Sequence, residues 1–252
     1  MTLKIDPTTK WWVLAFASVM IFGNYYVYDA IAPLAEQLSS ELGYSDTQIG
    51  SLNAVYSLPN IFLVLMGGVL VDKFGAGRVS LWTAIICFAG AVICASSGAY
   101  ASMVSGRLLF GIGAETMLIA MTVIIGIRFG GHVVALARAH HLTLGRMGSY
   151  AADLSPLWAG SLYDQGWQPP MVLAAGLAGQ SVVGALGCWW YDRYRPAIVT
   201  EAATEAHATD RFHWKDVFSF DRSFWYITIL CVLFYSVIFL FRSTFAIKYF
   251  QH

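Results

Sequence analysis

Seven long apolar stretches constrain the fold of this chain more than any other feature of its sequence. They lie at about 11–34, 48–71, 79–98, 102–128, 134–162, 170–191 and 224–249. A membrane-spanning helix needs about 20 predominantly apolar residues. Only 12% of the 252 residues are charged, whereas soluble domains contain about a quarter. The sequence therefore predicts an all-α polytopic membrane protein that lies in a lipid bilayer.

The connections between these stretches divide the chain into three predicted parts. All connections are short except residues 192–223, which are polar and charged. We therefore predict a six-helix bundle over 1–191, a cytoplasmic connector over 192–223, and a seventh helix within 224–252.

Composition and motif spacing argue against several classes of function. The net charge of zero gives no support for a nucleic-acid partner. Nucleophile–base pairs, phosphate-binding loops and metal-ligand clusters do not occur at recognisable spacing, so we predict neither an enzyme nor a bound cofactor. The four cysteines, which lie within apolar stretches, are interpreted as small core residues.

The basic residues predict the orientation of the helices. Lys and Arg are enriched in cytoplasmic loops. With a cytoplasmic N-terminus, the external loops 35–47, 99–101 and 163–169 contain none of the fifteen basic residues. Eleven fall in cytoplasmic segments: Lys4, Lys10, Lys73, Arg78, Arg128, Arg138, Arg193, Arg195, Arg211, Lys215 and Arg222.

Ionisable residues inside the apolar stretches are the candidates for function, because a charge in hydrocarbon needs a partner or water. At ~1.5 Å per residue, Arg146 lies some 18 Å from the cytoplasmic end of the fifth stretch and Glu115 about 20 Å from the outer end of the fourth. The two side chains can therefore meet near the midplane. They form either a ligand site, in which Arg146 binds a carboxylate and Glu115 an amino group or a proton, or a structural ion pair.

Further candidates are weaker. Asp29 either lines a cavity or anchors the outer interface, and Tyr56 and Asn60, one turn apart, are predicted to face the cavity with Asn53. Arg242, in the seventh stretch, is a second possible carboxylate ligand or an interfacial residue. Arg107 is expected to pair structurally or to reach the surface. His140 and His141 could couple protons, although solvated positions at a gate are favoured.

A glycine-rich, charged segment joins the second and third stretches. Residues 68–78 read GVLVDKFGAGR, and the pattern G-x-L-x-D-K-x-G-x-x-R resembles the cytoplasmic loop between helices 2 and 3 of major facilitator superfamily transporters. The resemblance implies a gating loop formed by Gly68, Asp72, Lys73, Gly75 and Arg78. The two glycines would allow tight turning and close helix approach, and Asp72 would accept hydrogen bonds near a helix end.

Other segments resemble the branch of this superfamily that contains the lysosomal dipeptide transporter. They are residues 56–60 (YSLPN), 106–115 (GRLLFGIGAE) and 142–149 (LTLGRMGS). This likeness implies a transporter of a dipeptide or another zwitterion, with or without a coupled proton. An organic or inorganic anion transporter and a non-transporting receptor or assembly subunit are the alternatives.

The resemblance also sets expectations for partners and location. Facilitator transporters have two six-helix halves, so the chain corresponds to the N-terminal half plus helix 7. We expect either a truncated sequence or a complementing chain that supplies the C-terminal half. The N-terminal tail is short and lacks an acidic dileucine signal, which favours a bacterial-type cytoplasmic membrane over a lysosome.

Overall fold

The computed structural model of the protein describes residues 7–129, 132–194 and 221–240, and within these ranges every regular element is helical. A 3-10 turn, Ala32–Leu34, separates the first two α-helices. The α-helices are α1 Pro7–Asp29, α2 Ala35–Leu42, α3 Asp46–Ser57, α4 Asn60–Phe74, α5 Ala76–Ser96, α6 Tyr100–Arg128, α7 His132–Asp153, α8 Ser155–Trp158, α9 Gly160–Tyr163, α10 Gln168–Tyr194 and α11 Arg222–Leu240. The predicted all-α class is confirmed.

Among the described residues, four helical segments are long and apolar enough to cross a membrane. They are Lys10–Leu42, Ala76–Ser96, Tyr100–Arg128 and Gln168–Tyr194. The other three predicted stretches differ for separate reasons. The second is divided into α3 and α4, the fifth carries Arg138 and Arg146 on α7, and the described apolar helix of the seventh, Arg222–Ser236, is shorter than a span.

The chain forms two compact units, Met1–Ala197 and Ile198–His252. The first contains α1 to α10 and the second contains α11. Most of the predicted connector, residues 195–220, lies outside the described residues, as does Arg242.

Two predicted spans are interrupted near a proline. Between α3 and α4 the chain turns at Leu58 and Pro59, and proline cannot donate the backbone hydrogen bond that would continue a helix. Similarly, α7 ends at Asp153, and Pro156 lies in the short α8. The prediction of continuous helices over 48–71 and 134–162 is therefore wrong at these two points.

Small residues let the helices of the first unit approach closely. A methyl group at Gly106 would lie 2.6 Å from Cys94 Sγ and one at Gly113 would lie 2.6 Å from Thr83 O, so α6 packs directly on α5. A methyl group at Gly184 would lie 3.0 Å from Phe16 O, so α10 packs closely on α1 as well. Close approach at small residues is the usual basis of helix association in membranes. These three glycines are therefore packing positions, whereas Gly176 faces open space.

Candidate functional site

Glu115 lies on α6 opposite the break between α3 and α4. Its Oε1 atom accepts a hydrogen bond from Asn60 Nδ2 at 3.1 Å and one from Tyr56 Oη at 3.3 Å. Tyr56 is in the last turn of α3 and Asn60 in the first turn of α4, so the break does not separate them in space. The carboxylate is therefore held by one oxygen, and Oε2 takes part in neither bond.

Tyr56 is fixed in place by packing on several sides. Gly111 of α6 lies against the backbone of Tyr56, so closely that a methyl group there would overlap the carbonyl. The Tyr56 ring lies 4.6 Å from that of Tyr28 and 5.6 Å from that of Phe110, centroid to centroid. A hydroxyl on a ring held in this way presents a fixed donor to Glu115, because few rotamers remain open to it.

Arg146 is exposed on α7 and lies beside α1. Its guanidinium carbon is 5.3 Å from the centroid of the Tyr25 ring, a cation–π distance. Gly145 permits this approach, because a methyl group in its place would lie 3.2 Å from Tyr25 Cδ2. Glu115 makes its hydrogen bonds with α3 and α4, and not with Arg146. Arg146 and Glu115 therefore contact different helices and form no direct bond with each other.

Arg107 of α6 is buried, and its hydrogen bonds link the end of α1 to α3. Its side chain is 2% exposed and donates to Val27 O and Tyr28 O, both at 3.1 Å, to Asn53 Oδ1 at 2.8 Å and to Leu52 O at 3.4 Å. The α1 carbonyls belong to its last turn, where a cation complements the helix dipole. The predicted structural pairing of Arg107 is present, and its guanidinium does not reach the surface.

Asn53 is bonded to Arg107, and Asp29 adjoins the α1 residues that bind Arg107. Asp29, the last residue of α1, is 3% exposed and follows directly on the two residues whose carbonyls bind Arg107. Asn53 bonds Arg107, whereas Tyr56 and Asn60 bond Glu115. The predicted stripe of Asn53, Tyr56 and Asn60 therefore serves two different partners.

The predicted gating loop consists almost entirely of helix. Residues 68–74 are the end of α4, residues 76–78 begin α5, and the connection is Gly75 alone, with φ of 84°. This left-handed value favours glycine, which confirms the tight turn. The close helix approach predicted at Gly68 is wrong, because Gly68 has open space around it while neighbouring Gly67 contacts Ile119.

The charged residues of this segment point outward from the first unit. Asp72, Lys73 and Arg78 are exposed, and Lys73 Nζ lies 5.4 Å from the centroid of the Phe74 ring. The predicted hydrogen bonds from helix N–H groups to Asp72 do not occur among the described residues. One physical reason is that Asp72 lies in the last turn of α4, where carbonyl groups are exposed instead.

A different carboxylate contacts the start of α5. Asp192, near the end of α10, lies so close to Gly77 that a methyl group there would be 2.9 Å from its Oδ2. Arg128, at the end of α6, forms an ion pair with Asp192 at 3.3 Å. Sequence reasoning missed this contact of three helices. Its only signal in the sequence is that Asp192 directly follows the sixth apolar stretch.

The two neighbouring histidines of α7 have different surroundings. His140 is exposed, as expected for a solvated position, whereas His141 is 2% exposed. The solvated interpretation is therefore wrong for His141. An α-helix turns by 100° per residue, so adjacent residues face different neighbours.

Comparisons with known proteins point to transporters. The sequence model of the Major Facilitator Superfamily matches residues 14–252. The lysosomal dipeptide transporter MFSD1 of Danio rerio is 28% identical over 240 residues, covering 90% of this chain and 51% of that protein. The Homo sapiens protein of that name is also 28% identical, over 251 residues and with the same coverage. The chain thus spans about half the length of these curated relatives.

A second relative and a solved structure extend the comparison. The probable sulfoacetate transporter SauU of Cupriavidus necator is 26% identical over 111 residues, which are 44% of this chain and 26% of that protein. A mutant of the peptide transporter POT in complex with sulfate matches with a TM-score of 0.61 and 17% identity, covering 94% of this chain and 48% of that one. At that identity the structural match concerns the fold.

Proposed function

The chain belongs to the Major Facilitator Superfamily of membrane transporters, and we propose that it moves a dipeptide or a similar zwitterion by alternating access. The observation that carries this proposal is the way Glu115 is held. Two neutral donors, Tyr56 and Asn60, fix one carboxylate oxygen. The other oxygen remains for a cationic group of a ligand.

Arg146 supplies the complementary charge in this proposal. A guanidinium forms a planar fork that suits a carboxylate, and contact with Tyr25 on α1 orients it. A zwitterion has an ammonium group for Glu115 and a carboxylate for Arg146. Because Glu115 is bonded to other residues and not to Arg146, a ligand does not have to break an ion pair between them. Asp29, Tyr56, Asn60 and Arg242 remain candidates for contact with the ligand.

The gating role of Gly68, Asp72, Lys73, Gly75 and Arg78 is part of the same proposal. The exposed Asp72, Lys73 and Arg78 side chains project from the Gly75 turn, where they can pair with another part of the transporter in one conformation and separate from it in the other. We also propose a cytoplasmic N-terminus, on the evidence of the basic residues, and that the rest of the C-terminal half comes from a longer form of the chain or from a complementing chain.

Uptake of radiolabelled alanylalanine into proteoliposomes tests the proposal. Each charge-assisted hydrogen bond is worth about 1.5–3 kcal/mol, so Arg146→Gln and Glu115→Gln should each weaken dipeptide binding roughly 10- to 100-fold. Arg138→Gln, an exposed arginine on the same helix, is the matched control and should retain uptake. If both variants take up alanylalanine at the wild-type rate, this site is excluded.

An anion is the second candidate ligand, and the probable sulfoacetate transporter among the relatives favours it. A sulfonate or carboxylate anion would need Arg146, and Arg242 if that residue reaches the same cavity, but not Glu115. Sulfoacetate uptake that depends on both arginines and is indifferent to Glu115→Gln would replace the zwitterion proposal.

A further inference from the structure

Tyr28, in the last turn of α1, lies between the two charged groups of the proposed ligand site. Its ring centroid is 4.6 Å from that of Tyr56, whose hydroxyl donates to Glu115 Oε1 at 3.3 Å. Tyr25, three residues earlier on α1, has its ring centroid 5.3 Å from the guanidinium carbon of Arg146. Residues three apart in a helix are neighbours on its surface. These two α1 tyrosines therefore connect the Glu115 side of the site to the Arg146 side.

The two α1 tyrosines offer accessible surface on one face of the helix. Tyr25 and Tyr28 are partly exposed. The two residues between them are buried, since Tyr26 is 2% exposed and Val27 is 6% exposed. Tyr56 is also only 6% exposed, so its ring supports Tyr28 from within the bundle and presents little surface of its own. A ligand that lies between the two charged groups therefore meets the ring of Tyr28 before that of Tyr56.

The position of Tyr28 is fixed by Arg107. The guanidinium donates from Nη2 to Tyr28 O at 3.1 Å. Its carbon lies 5.6 Å from the centroid of the Tyr28 ring and 5.4 Å from that of Tyr56, both of which are cation–π distances. The Tyr28 and Tyr56 rings are tilted by 59° to each other. A ring that is held through its backbone and through its neighbours is preorganised, so a ligand that binds to it loses little free energy in ordering it.

A tyrosine in this position suits the peptide unit of a ligand. At ~1.5 Å per residue, Tyr25 and Tyr28 are separated by about 4.5 Å along α1, which is similar to the ~3.3–3.6 Å length of one extended residue. A ligand that reaches from Glu115 to Arg146 therefore has its central part beside Tyr28. The peptide unit is planar and can lie on an aromatic face, and a phenolic hydroxyl can donate to its carbonyl or accept from its N–H.

We propose that Tyr28 binds the peptide unit of the ligand, and that it makes the transporter select peptides over zwitterions that carry the same two charges without an amide. The inference rests on the proposed function, in which Glu115 binds the ammonium group and Arg146 the carboxylate. The two charges give affinity for any zwitterion of suitable length. The ring and hydroxyl of Tyr28 add contacts that only a ligand with an amide can make, and these contacts give the selectivity.

Two ligands of equal length separate the contribution of Tyr28 from that of the charges. Glycylglycine and 5-aminopentanoate have the same number of atoms between the ammonium nitrogen and the carboxylate carbon, but only glycylglycine contains an amide. Each ligand competes with radiolabelled alanylalanine for uptake by the full-length transporter in proteoliposomes, which gives its apparent affinity. The wild type should bind glycylglycine at least about tenfold more tightly than 5-aminopentanoate.

Two substitutions of Tyr28 test its part in this preference. Tyr28→Leu should lower the ratio of the two affinities to about twofold or less. Tyr28→Phe keeps the ring against Tyr56 and removes only the hydroxyl, and it should lower the ratio about threefold. Tyr194→Leu, which replaces an exposed tyrosine at the end of α10, is the matched control and should keep the wild-type ratio. All variants are first checked for a single folded species by size-exclusion chromatography.

The ratio distinguishes a ligand contact from a purely structural role. If Tyr28 only supported Tyr56, its substitution would weaken both ligands by the same factor and leave the ratio unchanged, and that result would overturn the inference. Equal competition by both ligands in the wild type would also overturn it, but would leave the zwitterion proposal standing. Wild-type protein that does not take up alanylalanine would refute both. If Tyr28→Leu does not fold, the ratio measured with Tyr28→Phe decides.

Discussion

Replacement of Gly111 by alanine tests the fold and the candidate site together. Gly111 lies where α6 meets α3, and the added methyl group would overlap Tyr56 O and lie 3.1 Å from Tyr56 C and 3.3 Å from its Cα. All three neighbours are backbone atoms, so a change of side-chain rotamer cannot relieve the contact. The two helices would have to move apart, and Tyr56 would move with α3 away from Glu115.

The size of the effect follows from two opposing terms. Alanine is worth about 1 kcal/mol more than glycine within a helix, whereas overpacking a close contact costs about 1–3 kcal/mol. Loss of the Tyr56–Glu115 hydrogen bond adds about 1 kcal/mol. We expect Gly111→Ala to lower the free energy of unfolding by about 1–3 kcal/mol. A value of 2 kcal/mol would lower the folded-to-unfolded ratio roughly 30-fold.

Gly176→Ala is the matched control for this prediction. Gly176 is also in a long helix, but a methyl group there has no neighbour within 4 Å, so only the favourable helix term remains. Both variants and the wild type should be unfolded by denaturing detergent while tryptophan fluorescence is recorded. If Gly111→Ala were as stable as Gly176→Ala, the backbone contact between α6 and α3 would not exist as described.

Three other predictions concern a buried arginine, a glycine turn and the orientation of the chain in the membrane. Arg107→Met should lower the free energy of unfolding by about 3–5 kcal/mol in the same assay, because removing one side of a buried charged network leaves its partners unbonded. An unchanged unfolding midpoint would show that the hydrogen bonds of Arg107 do not stabilise the fold. Gly75→Ala should lower the free energy of unfolding by about 1–2 kcal/mol, because Gly75 has a left-handed φ. Gly68→Ala is the control and should not destabilise the protein, since its surroundings are open. Equal effects of the two substitutions would contradict the one-residue turn. Reporter fusions after Arg78 and after Gly98 should report the cytoplasm and the exterior respectively, and the reverse result would refute the orientation inferred from the basic residues.

The helical class could be predicted because apolar length depends on composition alone. A stretch of about 20 apolar residues is helical in a bilayer whichever neighbours it later meets. Some helix ends could also be predicted from the sequence. Gly75 marks a turn, and Ser45 begins α3 with a capping box, in which its hydroxyl accepts from Gln48 N at 3.3 Å and its own N–H donates to Gln48 Oε1 at 2.9 Å.

Interruptions of helices were harder to predict from hydropathy, because an apolar window does not register a missing backbone donor. Pro59 divides α3 from α4 within a stretch that is apolar overall. Tyr56 and Asn60 are four residues apart, so they share one helical face on either side of this break, and both donate to Glu115. The break in the backbone therefore lies within the candidate site.

The relation between Arg146 and Glu115 shows where sequence reasoning reaches its limit. The rise per residue gives the depth of each side chain, and at ~1.5 Å per residue the two depths agree within a few ångströms. Depth does not give the direction in which a helix presents a residue, because that direction depends on which neighbours the helix packs against. Gly111 packs α6 on α3 and thereby turns Glu115 toward Tyr56 and Asn60, while Gly145 packs α7 on α1 and places Arg146 beside Tyr25. Two glycine contacts, which carry no charge, therefore hold Arg146 and Glu115 apart, and the proposed zwitterion site depends on this separation.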